Sequence, residues 1–272
     1  MTRENLKKKT RFIWAWLALS MIGGIFFASP ALCAGVALKA EGAGFDSPEG
    51  AARAYLEGLR DSELRRMISA FAIESYVENY DFEAQLNRMK SYHPGQEVKL
   101  PNANEFVTAL NVEGRRSRVN DMILGHHFSL CISGLDRSKA QALKDETDAR
   151  GFVAQLNANL NAPKFSTLKI LGFIPPEAFP SVYSTPRNLE VMARMAIISG
   201  AKSLVSRVAV FTLDGNEYVF CFDAINYGGK WYISSLGGNI GALMGISVFS
   251  MGTVPVTTEM RDEIHKVLVP VE

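Results

Sequence analysis

SLVSRVAVFTLDGNEYVFCFDAINYGGKWYISSL, residues 203–236, decides the fold. Two β-branched and aromatic runs are joined by Asp214-Gly215, and a third follows Gly228-Gly229. Both dipeptides suit two-residue hairpin turns, whose central residues adopt positive φ. The stretch therefore reads as a three-stranded antiparallel meander.

The turns fix the register, and the register assigns faces. Across Asp214-Gly215, Phe211 faces Tyr218, Ala209 faces Phe220, Arg207 faces Phe222, Val210 faces Val219, Val208 faces Cys221 and Ser206 faces Asp223. Across Gly228-Gly229, Asn226 faces Trp231, Ile225 faces Tyr232, Asp223 faces Ser234 and Cys221 faces Leu236. Ser206, Asp223 and Ser234 then form one row among Val208, Cys221, Ile225 and Tyr232. The opposite face carries Ala209, Phe211, Tyr218, Phe220, Phe222 and Ile233. Both faces are largely apolar, so the sheet is expected to be covered on both sides or curled around a cavity.

Working outward, the 272-residue chain has ordinary globular composition, 47% hydrophobic and 21% charged. The beginning differs: Arg3, Lys7, Lys8, Lys9 and Arg11 precede an uncharged run from Phe12 to Pro30 that ends in Ala31-Leu32-Cys33-Ala34. This reads as an export signal over 1–33, with small residues at the two positions a signal peptidase inspects. The apolar run is also long enough to serve as an uncleaved anchor. Leu32 stands before Cys33 where a lipid-modification site would have a small residue. Residues 1–33 hold five of the 29 basic and one of the 28 acidic residues, which leaves 24 against 27, a net of −3. No basic stripe remains for a phosphate backbone, so nucleic acid is not an expected partner. Cys131 and Cys221 remain in that chain, either paired or as two separately buried thiols.

Residues 34–46 read as a spacer. Ser47-Pro48-Glu49 then opens a helix: Ser47 caps, Pro48 suits the first helical position and Glu49 favours the positive end. Ala51, Ala52, Tyr55, Leu56 and Leu59 form its apolar side. Asp61 or Ser62 is expected to open a second helix with Leu64, Met67, Ile68 and Phe71 as its apolar positions.

The opening SPEGAARAYLEGLRDSELRRMISAF, together with strands ending in GGKWYISSLGG, resembles the nuclear transport factor 2-like superfamily. Within it, the chain resembles secreted or membrane-anchored members of Gram-positive bacteria. The resemblance covers roughly residues 46–75 and 164–240. It implies an α+β, cystatin-like fold: a curved antiparallel sheet wrapped by N-terminal helices into a cone. The expected domain spans 47–245, followed by a C-terminal tail segment, 246–272. The chain departs from that pattern by an interruption, about 73–163, which reads as an inserted helical subdomain or lid. Within it, DFEAQLNRMKSY reads as a helix ended by His93-Pro94-Gly95, Asn104 as a cap, and Val119, Met122, Ile123, Leu130 and Cys131 as an apolar side. Ser138 to Asp148 and Gly151 to Leu160 read as two further helices. KFSTLKILGFI reads as a strand stopped by Pro175-Pro176, and Asn188 to Ile198 as a helix leading into the meander.

His126 and His127 point about 100° apart on a helix and lack metal-ligand spacing, so no metal or cofactor is expected. Gly237-Gly238-Asn239-Ile240-Gly241 lacks phosphate-loop spacing and reads as a turn at the cone mouth. No nucleophile elbow is present. Asp223 is the candidate for chemistry, because some enzymes of the superfamily use an Asp in the cone as a proton-abstracting base and apolar neighbours raise a carboxyl pKa. Its alternative role is structural, hydrogen-bonded to Ser206 or Ser234, or simply facing solvent. Tyr55, Asp223, Tyr232 and Trp231 are the expected ligand-binding residues, with Tyr55, Tyr76, Tyr232 and Trp231 otherwise serving as core.

The expected function is a non-catalytic, extracytoplasmic binding or interaction module, taking a small apolar ligand or an envelope protein. The alternative is an isomerase- or dehydratase-type enzyme with Asp223 as general base. Membrane contact is expected through the N-terminal segment if it is uncleaved. Superfamily members often dimerise through the sheet, which makes a homodimer a further expectation.

Overall fold

Helix α1, Pro48–Asp61, forms as its sequence dictates: the Ser47 side chain accepts the Gly50 N–H at 3.0 Å, and Pro48 occupies the first turn. Its buried face is Ala51, Ala52, Tyr55, Leu56 and Leu59. The helix stops where Ser62 turns left-handed at φ 57°, donating its N–H back to the last turn. Ser62 therefore ends α1, and α2, Leu64–Ser69, starts only after Glu63. This corrects the expectation that Asp61 or Ser62 opens the second helix. The computed structural model describes residues 39–90, 100–132, 144–160, 163–178, 183–246 and 250–271. The stretch 1–33 read as an export signal and the His93-Pro94-Gly95 stop lie outside them.

Six strands form one antiparallel, curved sheet: β1 (Lys169–Ile174), β2 (Ser203–Leu213), β3 (Asn216–Tyr227), β4 (Lys230–Leu236), β5 (Thr253–Pro255) and β6 (Val269–Pro270). The order is β4-β3-β2-β1-β6, and β5 pairs β3. The Asp214-Gly215 hairpin has the register its sequence dictates, with Ser206 opposite Asp223 and Phe211 opposite Tyr218. The second hairpin keeps Asn226 opposite Trp231 and Ile225 opposite Tyr232, then bulges. Beyond the bulge Asp223 faces Ser235 and Phe222 faces Leu236. Ser234 is the extra residue, so it does not complete the polar row, and Cys221 does not face Leu236. The unpaired carbonyl of Ser234 is taken by Arg115, whose Nη2 donates to it at 2.7 Å.

Both faces of the sheet are covered. Ala209, Phe211, Phe220, Phe222 and Ile233 pack against α1 and the long helix α5, Glu105–Cys131, in the larger core. Val208, Val210, Val219 and Cys221 pack on the opposite side beneath Ile240 and Ile264. Helix α7, Pro186–Ile198, lies against β2 on its way into the meander. Each fully buried Phe or Leu of these layers contributes about 1.5–3 kcal/mol.

The helical stretch 73–163 is not a detachable lid. Helices α3 (Glu74–Glu78) and α4 (Phe82–Met89) precede α5, and α6 (Glu146–Leu160) follows it. Asn104 caps α5 by accepting the Val107 N–H at 3.0 Å. Val119, Ile123, Leu130 and Cys131 of α5 sit inside the larger core, so removing the stretch would uncover the aromatic face of the sheet. The pattern read at Gly151–Leu160 falls within α6, whereas most of that read at Ser138–Asp148 lies outside the described residues. The segment 246–272 is likewise no tail: β5 pairs β3 at Tyr218–Phe220, β6 pairs β1, and α9 (Thr258–Val267) buries Ile264.

Candidate functional site

Asp223 is buried and accepts bonds from every side. Ser206 Oγ donates to Oδ1 at 2.5 Å from the neighbouring strand, and Ser235 Oγ donates to Oδ2 at 3.3 Å from the other. The Asn239 N–H reaches Oδ1 and Oδ2 at 3.0 and 3.1 Å. Asn239 belongs to the short helix α8, Gly238–Leu243, so the carboxylate lies at the amide end of that helix. The network closes on itself. Asn239 Nδ2 donates to Asn188 Oδ1, Asn188 Nδ2 to the Tyr183 carbonyl, and the Tyr183 hydroxyl accepts the N–H of Ser206. Burial pushes the Asp223 carboxyl above its usual range, against the lowering pull of the Ser206, Asn239 and Ser235 bonds.

Glycines make the roof over Asp223. Gly238 has φ 55°, and a Cβ there would stand 2.4 Å from Asp223 Oδ1. The excursion that carries α8 leaves β4 and returns as β5 through a neck at Cys221. Cys221 N–H donates to the Gly252 carbonyl at 2.9 Å, and Gly237 N–H donates to the Cys221 carbonyl at 2.8 Å. Gly252, at φ 79°, could not carry a side chain, since its Cβ would fall 2.4 Å from the Cys221 carbonyl oxygen. The stretch after β4 is therefore a short helix closed by a glycine neck, not a loose turn.

On the opposite face Tyr55, His126 and Thr253 form a second buried polar chain. Tyr55 hydroxyl and His126 Nδ1 are 2.7 Å apart, and His126 Nε2 and Thr253 Oγ1 are 2.7 Å apart. The imidazole lies nearly parallel to the Tyr55 and Phe220 rings, with centroids at 5.6 and 5.1 Å, and those two rings are themselves 5.8 Å apart, so the three form one cluster. Burial lowers its pKa to about 3, with the His127 charge a smaller contributor. His127 points elsewhere and stacks on Phe165 at 4.5 Å, as a 100° step around a helix requires. Among the described residues no group of three or more His, Cys, Asp or Glu could hold a metal ion. Cys131 and Cys221 are free, buried thiols in the two separate cores; burial first, and then the Asp223 charge, pushes Cys221 up to about 12.

The N-terminal arm positions Trp231 and Tyr232. Phe45 and Trp231 exchange backbone bonds at 3.0 and 2.7 Å. The Tyr232 ring lies against Gly44, where a Cβ would come within 2.7 Å of it. Glu41 accepts the N–H groups of Ile73 and Ser75 at 2.7 and 2.8 Å, while Glu74 accepts those of Ala40 and Glu41 at 2.7 and 3.0 Å. This reciprocal clasp holds the arm to the start of α3. Arg115 sits beside it, donating Nε to the Ala72 carbonyl at 3.0 Å and lying 4.4 Å over the Tyr76 ring.

The four residues expected to bind ligand do not share a pocket. Tyr55 and Asp223 lie on opposite faces of the sheet, because alternation along β3 sends Phe220 and Phe222 to one side and Cys221 and Asp223 to the other. Tyr232 shares the Asp223 side but packs with Ala72, Ile225 and Tyr227, whereas Trp231 borders the larger core. None of the four lines either of two surface clefts. One cleft, about 640 Å³, lies between Glu49 and Arg53 of α1, Phe173 and Pro175 at the end of β1, and the 269–271 segment. The other, about 330 Å³, lies between α4 and α7 and presents Arg88, Lys90 and Arg194 around Ile197.

No protein-family model matches the chain, and no curated protein matches it. The crystal structure of a cystatin-like protein from Ruminococcus gnavus is similar to it at 14% identity and a TM-score of 0.38, over 68% of this chain. The chain spans 39% of that protein's length.

Arg115, Arg53 and Thr253 are among the site-forming residues that lay beyond the sequence reading. Arg115 and Arg53 are arginines on helices, indistinguishable in the sequence from solvated ones. Thr253 lies in a three-residue strand too short to show alternation.

Proposed function

We propose that this chain is an extracytoplasmic binding module, delivered by its N-terminal export segment, that performs no chemistry at Asp223. The observation that supports this reading is the saturation of that carboxylate. A general base must reach a substrate proton, directly or through one water. Asp223 instead spends both oxygens on Ser206, Ser235 and Asn239 under the Gly238 backbone. An isomerase or dehydratase would need that roof to open and an acid or oxyanion donor beside it. The partners around Asp223 are two hydroxyls and an amide that already hold the ground state together. Binding then falls to the surface clefts, which are open in the structure as it stands.

The test uses the protein exported from a bacterial host, with whatever small molecule co-purifies identified by mass spectrometry. That molecule is returned to fresh protein in D2O and followed by proton NMR. A binding module leaves every carbon-bound proton in place; deuterium entering a carbon position with wild-type protein but not with Asp223→Asn would establish proton abstraction and reverse the reading.

A further inference from the structure

Resting on that reading of a binding module, we propose that the cleft between α1, the end of β1 and β6 is a binding site for a single-tailed aliphatic carboxylate. Its volume, about 640 Å³, falls within the range of small-molecule sites, roughly 300–1,000 Å³. Among the described residues its charged lining is Glu49 and Arg53. Glu49 is already occupied, accepting from Arg207 Nε at 2.8 Å in a partly buried pair. Arg53 stands one turn further along the same helix, lines the cleft, and has no partner among the described residues. With Glu49 held by Arg207, which does not line the cleft, Arg53 is the lining cation left to meet an anionic head group among the described residues.

The remaining walls decide the rest of the ligand. Phe173, Pro175 and the Val269-Pro270-Val271 segment are apolar. Proline brings no N–H, and the Val271 N–H is spent on the Leu171 carbonyl at 3.3 Å. The cationic contact comes from Arg53, whose planar fork matches a carboxylate. The other walls take hydrocarbon. Val269 is 57% exposed at this wall, an apolar surface that an aliphatic tail would cover.

The probe is dodecanoate, titrated calorimetrically into the exported chain, with dodecanol as its uncharged counterpart. Saturable one-to-one binding is expected, weakened about tenfold or more by Arg53→Gln, since a charge-assisted contact is lost. Dodecanol is expected to bind wild type and Arg53→Gln alike. Val269→Asp, at an exposed wall position, is expected to weaken dodecanoate more than dodecanol. Dodecanoate binding that Arg53→Gln leaves unchanged, or no saturable binding by a chain with a normal urea midpoint, would overturn the assignment. In the latter case a different molecule captured during export would leave the binding-module reading standing, so the two failures are separable.

Discussion

The Ser206 hydroxyl donates to Asp223 Oδ1 at 2.5 Å across the β2–β3 pair, while the Asn239 N–H binds the same carboxylate from above the sheet. Asp223 thus fastens α8 to the meander. Asp223→Ala strands two hydroxyls and an amide in a buried site and is expected to lower stability by about 3 kcal/mol or more. Asp223→Asn retains an acceptor and adds a donor, so its loss should be clearly smaller. Urea unfolding of both variants provides the check.

That carboxyl also has a pH signature. Its pKa is raised in the folded state, so the fold binds its proton more tightly than the unfolded chain does. The associated stability is present below the unfolded value, near 3.8, and is lost as pH rises through the folded value. The stability gap between wild type and Asp223→Asn should therefore narrow on going from pH 4 to pH 8, as read from paired urea midpoints.

His126 has the opposite sign. Its folded pKa is lowered from 6.5 to about 3, so protons prefer the unfolded chain between those values. Stability held above pH 6.5 is lost progressively as the pH falls toward 3. By pH 4.5 this histidine should remove about 2–3 kcal/mol. A His126→Gln variant, though weaker at pH 7.5, should lose less on acidification; equal slopes for the two proteins would show that the imidazole is not held neutral.

Two glycines should respond in opposite directions to alanine. Gly252→Ala places a methyl 2.4 Å from the Cys221 carbonyl oxygen at a φ of 79°, and should destabilise by about 3 kcal/mol or more. Gly114 lies within α5 with nothing within 4 Å of its added Cβ. Gly114→Ala should stabilise by about 0.5–1 kcal/mol, because a helical glycine loses more backbone freedom on folding. Thermal or urea denaturation of the pair would show it.

Arg115 pins the bulge through the Ser234 carbonyl and the loop before α3 through the Ala72 carbonyl. Arg115→Met keeps the stem but orphans both carbonyls, for an expected loss of about 2–4 kcal/mol. Arg115→Lys should rescue only part of it, as one ammonium lacks the fork that spans two acceptors. Amide exchange at the β3–β4 ladder should quicken in both variants, more so in Arg115→Met.

Much of this fold was legible locally. Asp214-Gly215 gives the whole β2–β3 register without a shift, and Ser47-Pro48-Glu49 gives the start of α1. The β3–β4 register was readable only up to Ile233. Ser234-Ser235 has no local bulge signature, and the arginine that takes the freed carbonyl is 119 residues away. Strands β5 and β6 have three and two residues, too few for alternation to register. The grouping of Tyr55 with Asp223 failed because one step along β3 changes face. The Arg53 cleft was invisible because its far wall, residues 269–271, is placed only by pairing with β1.

The most direct test of the central claim is native mass spectrometry of the exported chain beside its Asp223→Asn variant, each read before and after mild denaturation. A binding module should carry the same small molecule at the same occupancy in both proteins, with a mature mass beginning near Ala34. A ligand held or altered only when Asp223 is intact would contradict it and return that carboxylate to the centre of an active site.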